Sequence, residues 1–280
     1  MKYVECPRDS WQGLSQFIPT EEKVAYLQAL LDAGFRHLDM GSFVSPKAVP
    51  QLADTEEVLA SLNVPDEADL LCIVANERGL ERAVGAPNLR SVGYPLSVND
   101  TFQRRNTNRS LEDSWSLVEA MRLETTQNDL TLVIYLSMGF GNPYDEPWQP
   151  EDTARAVTRL RELGVEQIAL ADTVGTATPE LIDAVLGAVE APETLGLHLH
   201  ARPDVWRGQF EVALEYGVSW FEGALAGVGG CPFADDELVG NLPTEKVLPW
   251  LYEQTGSFEE LKEGGLELSQ RAAELATQFH

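Results

Sequence analysis

The feature that most constrains the fold of this chain is a regular alternation between short apolar stretches and amphipathic segments. The apolar stretches have the length and composition of buried strands, at residues 2–6, 37–40, 69–75, 91–96, 131–138, 167–172, 195–200 and 219–223. A helix is predicted after each strand, at residues 21–33, 54–62, 77–84, 110–126, 150–163, 179–189, 207–216 and 243–254. Eight such pairs predict a parallel sheet that closes on itself, the (β/α)8 or TIM barrel of the α/β class.

The main alternative to a closed barrel is an open, doubly wound sheet. The glycine-rich nucleotide-binding fingerprint of that fold does not follow the first predicted strand, and no Ser/Gly/Pro-rich linker divides the 280 residues. We therefore expect one catalytic barrel over residues 1–256, with a helical extension over residues 257–280 packed on it. Thr20 and Asn76 each precede a predicted helix and Asp54 begins one, and all three are expected to cap these helices.

The charge of the chain is unusual: 45 acidic and 20 basic side chains give a net charge of −25. A surface of this sign repels phosphates and acidic lipids, so nucleic acids and membranes are not expected as partners. Because salt would screen the repulsion among the acidic side chains, we hypothesise a salt-adapted host. An acidic protein from a low-salt host is the alternative.

Neither a membrane span nor a secreted fold is expected. No apolar run reaches the roughly 18 residues that a membrane span needs, and the first residues are more typical of a strand than of a signal peptide. The three cysteines, Cys6, Cys72 and Cys231, are too few and too scattered for a disulfide framework. A reducing cytoplasm is the expected compartment.

Residues with catalytic or metal-binding chemistry collect where the predicted strands end, which is where barrels of this type place their active sites. They are Arg8, Asp9, Asp39, Asp172, His198, His200, Cys231 and Asn241. His198 and His200 are two positions apart, so on a strand their imidazoles would lie on one face. Carboxylate, imidazole and amide ligands together suit Mg²⁺ or Mn²⁺ better than zinc.

Several of these residues also have purely structural interpretations. Arg8 and Asp9 could form a local ion pair, and Asp172 could cap the turn that follows it. Cys231 could be a buried apolar residue, or it could belong to a mobile lid formed with Gly229-Gly230.

A cluster of arginines follows the fourth predicted strand. Arg104, Arg105 and Arg109 lie within six positions of one another. They form either a solvated loop or a clamp for the phosphates of an anionic substrate.

Together these motifs resemble those of 3-hydroxy-3-methylglutaryl-CoA (HMG-CoA) lyases, within a metal-dependent branch of TIM-barrel lyases and synthases. The matching segments span residues 7 to 245: Pro7-Arg8-Asp9 with Gln12, Gly41 to Lys47, Val49 to Gln51, Ala171 to Gly175, His198 to His200, Ala226 to Pro232, Gly240 to Leu242, and Thr244-Glu245. The Ser-Phe-Val-Ser-Pro-Lys and Gly-Gly-Cys-Pro segments are specific to the lyases. The Arg-Asp and His-x-His pairs occur across the branch, including isopropylmalate and homocitrate synthases.

The resemblance implies a divalent cation, Mg²⁺ or Mn²⁺, and an acyl-CoA substrate. The implied ligands of the cation are Asp9, His198, His200 and Asn241. The implied products are acetoacetate and acetyl-CoA, in leucine degradation, and the expected assembly is a homodimer.

The resemblance also implies roles in the reaction. Arg8 would stabilise the thioester enolate, and Cys231 would supply the proton that quenches it. His198 or Asp9 would take the proton of the substrate hydroxyl. Asp172 would orient that hydroxyl or the metal ligands, and Gln12, Asp39 and Ser42 would contact the substrate.

The chain departs from the family pattern near the substrate pocket. Ser10-Trp11 replaces an expected Gly-Leu, and Ala201-Arg202-Pro203 replaces an expected Asp-Thr-Tyr. Asp39 stands where a longer Glu is expected, which would loosen its contact with Arg8 or place a water between them. These changes leave the acyl chain of the substrate open, so a related 3-hydroxyacyl-CoA is an alternative.

Two further alternatives concern the class of protein. A synthase of the same branch would condense acetyl-CoA with a 2-oxo acid, but it would not require Cys231 and usually carries a regulatory domain for which 280 residues leave no room. A non-catalytic acyl-CoA-binding barrel is disfavoured, because the ionisable residues of the site are all present.

Overall fold

The computed structural model describes residues 1–200, 205–229, 240–256, 261 and 264–280. Eight parallel strands form a closed barrel in sequence order, and the last strand pairs with the first, which confirms the predicted TIM barrel. The strands are β1 (Lys2–Glu5), β2 (His37–Ser42), β3 (Asp69–Ile73), β4 (Ser91–Ser97), β5 (Thr131–Ser137), β6 (Gln167–Ala171), β7 (Gly196–His198) and β8 (Trp220–Gly223).

The helices that connect these strands surround the barrel. They are α1 (Pro7–Trp11), α2 (Thr20–Ala33), α3 (Thr55–Ser61), α4 (Glu77–Val84), α5 (Asp100–Thr107), α6 (Leu111–Gln127), α7 (Pro150–Glu162), α8 (Pro179–Ala188), α9 (Trp206–Glu215), α10 (Thr244–Thr255) and α11 (Leu268–Gln278). Of the described helices, none combines the length and the apolar character needed to cross a membrane.

The short helix α1 places the Arg-Asp motif. Pro7 occupies the first turn of this helix, where its missing N–H removes no hydrogen bond and its fixed φ favours helix. The sequence did not predict this helix, since five residues are too few to show an amphipathic period. Its consequence is that Arg8 and Asp9 are buried at the rim of the barrel immediately after β1.

The barrel interior has its own small core, separate from the larger core between strands and helices. It is lined by Val4, Cys6, Leu71, Val133, Tyr135, Ala169 and Trp220. Gly196 on β7 makes room for the largest of these side chains, because a Cβ there would overlap the Trp220 indole. This packing leaves the carboxyl ends of the strands free to carry polar groups.

Two of the predicted helix caps are wrong, and both for the same tertiary reason. Thr20 lies inside α2, and Asp54 makes no side-chain cap for α3. Asp54 instead accepts hydrogen bonds from Thr20 Oγ1 (2.9 Å) and from Nζ of the buried Lys23 (2.7 Å). Asn76 caps α4 as predicted, by accepting from the Gly79 amide.

Candidate active site

Arg8 organises the charged part of the site. Its Nε donates to both carboxylate oxygens of Asp39 at 3.0–3.1 Å, and its Nη2 also donates to Asp39. Its Nη1 donates to Asp9 Oδ1 (2.9 Å) and to Gln12 Oε1 (3.1 Å). Burial opposes the charge on Arg8, but the carboxylates of Asp39 and Asp9 outweigh burial and raise its pKa, so the guanidinium stays protonated. The expected loosening at Asp39 is therefore wrong: its contact with Arg8 is direct.

Asp9 is held as a carboxylate by its surroundings. Burial favours its neutral form, but the Arg8 guanidinium and the imidazoles of His200 and His198 outweigh this and lower the pKa of Asp9. Gln12 Nε2 also donates to Asp9 Oδ1 (2.6 Å). Oδ2 of Asp9 lies 3.9 Å from His200 Nε2, so the carboxylate faces both the arginine and the histidines.

The two histidines lie side by side, as their spacing predicted. His198 ends β7, and His200 follows it in an isolated bridge with Asn241. Their Nε2 atoms are 3.2 Å apart, and both side chains are buried. Burial lowers the pKa of His198, but the hydrogen bond to Glu222 and the negative charges of Glu222 and Asp9 together outweigh burial, so the pKa is raised. Asp9, His198 and His200 place their ligand atoms within 4.8 Å of one another.

Asn241 completes this group from the far end of the chain. Its Nδ2 donates to Asp9 Oδ2 (2.7 Å) and to the Val228 carbonyl (3.0 Å), and two acceptors on that side fix the orientation of the amide. Its Oδ1 is buried and has no hydrogen-bond partner among the described residues. A buried oxygen without a partner costs free energy unless a ligand uses it. With one carboxylate and two imidazoles beside it, this oxygen fits a hard divalent cation.

Asp172 caps a turn, which was the structural interpretation considered for it. It is buried, and its two carboxylate oxygens accept from the amides of Thr176 (2.9 Å) and Ala177 (3.2 Å), so it caps the turn after β6. Burial raises its pKa against the opposing influence of the His200 and His198 imidazoles and these amides.

The three arginines of the predicted clamp lie on or near α5, a helix in a segment where a loop was predicted. Arg104 pairs with Asp100 in an exposed i,i+4 contact, and Arg109 pairs with Glu77. Arg105 instead lines the main cavity, with its guanidinium 4.8 Å from the centroid of the Tyr144 ring.

The main cavity has a volume of about 400 Å³. It begins at the four candidate metal ligands described above, here called the metal-binding group, and runs outward between the segment after β2 and α5. Arg8, Asp9, His198 and His200 line its inner end, and Arg105 lies on its α5 side. Gln12 and Ser42 also line it, so both predicted contact residues are accessible to a ligand. Cys231 lies outside the described residues, and its position in the site stays a prediction.

The residue that sequence reasoning missed is Glu222. It is buried in the barrel and lies 2.7 Å from His198 Nδ1 through Oε2. A signal existed in the sequence, since an acidic side chain at an inward-facing position of an apolar strand is rare without a partner.

Comparisons with known proteins find relatives of similar sequence and similar fold. A hydroxymethylglutaryl-CoA lyase of Bacillus subtilis is 32% identical over 245 residues, covering 86% of this chain and 81% of its own. The structure of the HMG-CoA lyase from Brucella melitensis superposes with a TM-score of 0.90 at 30% identity, covering 99% of this chain and 98% of its own. An HMG-CoA lyase from Acinetobacter baumannii, in complex with coenzyme A and 3-methylmalate, gives 0.87 at 30% identity over 99% of this chain and 91% of its own.

The match to a family model covers almost the whole barrel. The model is described as HMGL-like and matches residues 5–270, which include every candidate metal ligand placed above. This chain belongs to the HMGL-like family.

Proposed function

We propose that this protein is a divalent-metal-dependent carbon–carbon lyase that cleaves HMG-CoA to acetoacetate and acetyl-CoA. The observation that carries the proposal is the convergence of Asp9, His198, His200 and the unpartnered Oδ1 of Asn241 beside a buried, protonated Arg8. A cation site next to a fixed positive charge suits a reaction in which negative charge develops on a thioester oxygen. The names of the relatives support this substrate.

Asp9, His198, His200 and Asn241 would hold the cation, for which we propose Mg²⁺ or Mn²⁺. When bound, such a cation would chelate the 3-hydroxyl and a carboxylate oxygen of the substrate and acidify that hydroxyl. The contribution of the protein is to keep the four donors together before the ligand arrives. The hydrogen bond between Asn241 and Asp9 does this, because it links two of the donors directly.

Arg8 would stabilise the enolate. In a retro-Claisen cleavage, a base takes the hydroxyl proton and the electrons of the breaking C–C bond pass to the acetyl-CoA fragment. Its thioester oxygen then carries negative charge. Asp39 and Gln12 fix the guanidinium through hydrogen bonds, so little reorganisation is needed when this charge develops.

Two proton transfers complete the reaction. Either Asp9 or His198 takes the hydroxyl proton, and Cys231 returns a proton to the acetyl-CoA carbanion. Asp172 would support this group only indirectly, through the turn that it caps.

The coenzyme A part of the substrate would leave the site through the cavity between the segment after β2 and α5. Ser42 would contact the acyl portion at its inner part, and Arg105 would meet the phosphates near α5. Arg104 and Arg109 would contribute only long-range attraction, since neither lines this cavity.

Acetoacetate release from HMG-CoA by metal-stripped protein, with and without added Mg²⁺ or Mn²⁺, tests the proposal. We expect cleavage only with metal. Cys231→Ser should keep substrate binding and lose most turnover, whereas Cys72→Ala, which removes a buried thiol on β3, should retain turnover. Metal-independent cleavage or none at all would contradict the proposal, and condensation of acetyl-CoA with pyruvate or 2-oxoisovalerate would then indicate the synthase.

We also propose that residues 1–256 form the catalytic barrel and residues 257–280 an extension packed on it. The Gln16 amide donates to the Phe279 carbonyl (2.9 Å), and Arg271 pairs with Glu22 of α2, which supports this division. The predicted boundary itself lies outside the described residues. We also propose a homodimer, which the family resemblance supports, and a cytoplasmic location, which the few and scattered cysteines support. Sedimentation equilibrium would test the homodimer.

A further inference from the structure

Glu222 occupies a position beneath the metal-binding group, inside the barrel on β8. Its side chain is buried, and its Oε2 lies 2.7 Å from His198 Nδ1. Its other oxygen, Oε1, accepts from the Tyr135 hydroxyl (3.1 Å) and from the Trp220 indole N–H (3.1 Å). The Cys6 thiol approaches Oε2 at 3.7 Å. Every group around this carboxylate is thus a donor or can act as one.

This contact decides which nitrogen of His198 carries the proton. A neutral imidazole has one N–H and one lone pair, and the nitrogen that faces a carboxylate must be the donor. Nδ1 of His198 therefore carries the hydrogen, and the lone pair is on Nε2. Nε2 is the atom that lies 3.2 Å from His200 Nε2 and belongs to the metal-binding group with Asp9.

The carboxylate is itself held in one orientation. The Trp220 indole can only donate, so it requires an acceptor at Oε1. The indole is in turn fixed by packing over Gly196, where no larger side chain fits. The Tyr135 ring adds an edge-to-face contact with the His198 imidazole, at a centroid distance of 6.0 Å. Glu222 therefore has a defined position relative to His198 before any cation binds.

We infer that Glu222 is a positioning residue that keeps His198 in the Nδ1–H form, with its Nε2 lone pair directed at the cation. It does not contact the substrate or the cation. Carboxylates that orient metal-binding histidines in this way typically contribute about 10–100-fold to metal affinity. The inference rests on the metal site of the proposed function and deepens it.

Glu222→Gln tests this inference, because the neighbouring hydrogen-bond donors determine the orientation of the new amide. The Trp220 N–H still requires an acceptor, so the amide oxygen takes the place of Oε1 and the NH2 group faces His198 Nδ1. An NH2 group can only donate, so Nδ1 must become the acceptor and the proton must move to Nε2. We therefore expect an inverted tautomer and a Kd for Mn²⁺ that is higher by about 10-fold or more.

Glu5→Gln is the matched control. Glu5 is an equally buried carboxylate on the neighbouring strand β1, but its hydrogen bonds go to the Leu225 amide and to Thr244, and not to a histidine. The same replacement of a carboxyl group by an amide there should leave the His198 tautomer and the Mn²⁺ Kd unaltered. Glu222→Asp keeps an acceptor near Nδ1, so it should retain the Nδ1–H form and give an intermediate Kd.

Two measurements decide the outcome. The first is long-range 1H–15N spectra of metal-free protein labelled at its histidine nitrogens, and the second is titration of the metal-free protein with Mn²⁺, followed by electron paramagnetic resonance. An Nε2–H form of His198 in the wild-type protein would overturn the inference without any variant. An unchanged tautomer or Mn²⁺ Kd in Glu222→Gln, or an equal loss in Glu5→Gln, would also overturn it. Failure of the wild-type protein to bind Mn²⁺ would instead overturn the proposed metal site.

Discussion

Replacing Glu5 by glutamine should stabilise the protein, and the gain should grow with pH. Glu5 is buried between β1 and the start of α10, where it accepts from the Leu225 amide (2.7 Å) and contacts Thr244 Oγ1 (2.6 Å). Burial raises the pKa of Glu5 to about 8 from its ordinary 4.5, and these hydrogen bonds offset only part of that effect. Glutamine presents its amide oxygen to the Leu225 amide and its NH2 group to Thr244 Oγ1. Thr244 Oγ1 then accepts from the NH2 group, as it would from the hydroxyl of a protonated carboxyl.

The magnitude follows from the shift in pKa. Below pH 4.5, Glu5 is protonated in both the folded and the unfolded chain. Between pH 4.5 and about 8, only the unfolded chain releases the proton, so the free energy of unfolding falls as pH rises through this range. Above about pH 8, Glu5 is ionised in both states, and its effect on the free energy of unfolding no longer changes with pH. A shift of this size corresponds to about 5 kcal/mol at 1.36 kcal/mol per pKa unit. For a chain of 280 residues, this is about 8 °C in Tm.

Urea unfolding of the wild-type protein and Glu5→Gln at several values between pH 5 and pH 9 measures this difference directly. The free energy of unfolding of the variant minus that of the wild type should rise toward pH 8 and then level off. Glu119→Gln, at an exposed position of α6, should give a small difference that does not vary with pH. Parallel curves for Glu5→Gln and the wild type, or a less stable variant at pH 8.5, would refute the reasoning.

Three further outcomes are expected. In steady-state kinetics, Arg105→Ala should raise the KM for HMG-CoA about 10-fold, because the Arg105 guanidinium lines the cavity. Arg104→Ala should change this KM less than about twofold, because Arg104 lies in an exposed ion pair outside the cavity lining. Gly229→Ala should weaken Mn²⁺ binding in the same titration, since a Cβ there would overlap the amide of Asn241. Gly256→Ala should not, because Gly256 also has a positive φ (+63°, against +119° at Gly229) but open space around its Cα. If the host is salt-adapted, the unfolding midpoint should rise from low to molar KCl because salt screens the net charge of −25; a flat profile would contradict that hypothesis.

The barrel could be predicted from the sequence because each strand and each amphipathic helix has a period that is visible locally. The pairing of His198 and His200 could be predicted for the same reason, since strand geometry alone places alternate side chains together. α5 was missed because its sequence, from Asp100 to Thr107, is almost entirely polar and shows no apolar stripe. Its helix depends instead on Asn99, which caps it by accepting from the Phe102 amide.

The predictions that were wrong or missing concern contacts between residues distant in sequence. Asp54 has the sequence context of a helix cap, but a buried lysine on another helix determines its partner. Asp39 was expected to reach Arg8 loosely, yet the placement of Arg8 on α1 brings the shorter side chain into direct contact. Glu222 has no local motif at all, and its role depends on three neighbours contributed by other positions of the barrel wall.

The metal-binding group lies across the seam at which the barrel closes. Asp9 follows β1, while His198 and His200 lie at and just after the end of β7, and Asn241 lies in the segment after β8. No fragment that ends before residue 241 can therefore present all four donors, and during synthesis the site can form only after Asn241 has been added. A cation that binds only the closed barrel would stabilise that closure by about 2.7 kcal/mol at a concentration 100 times its Kd. Loss of metal should thus loosen the seam between β1 and β8 before it affects the rest of the wall.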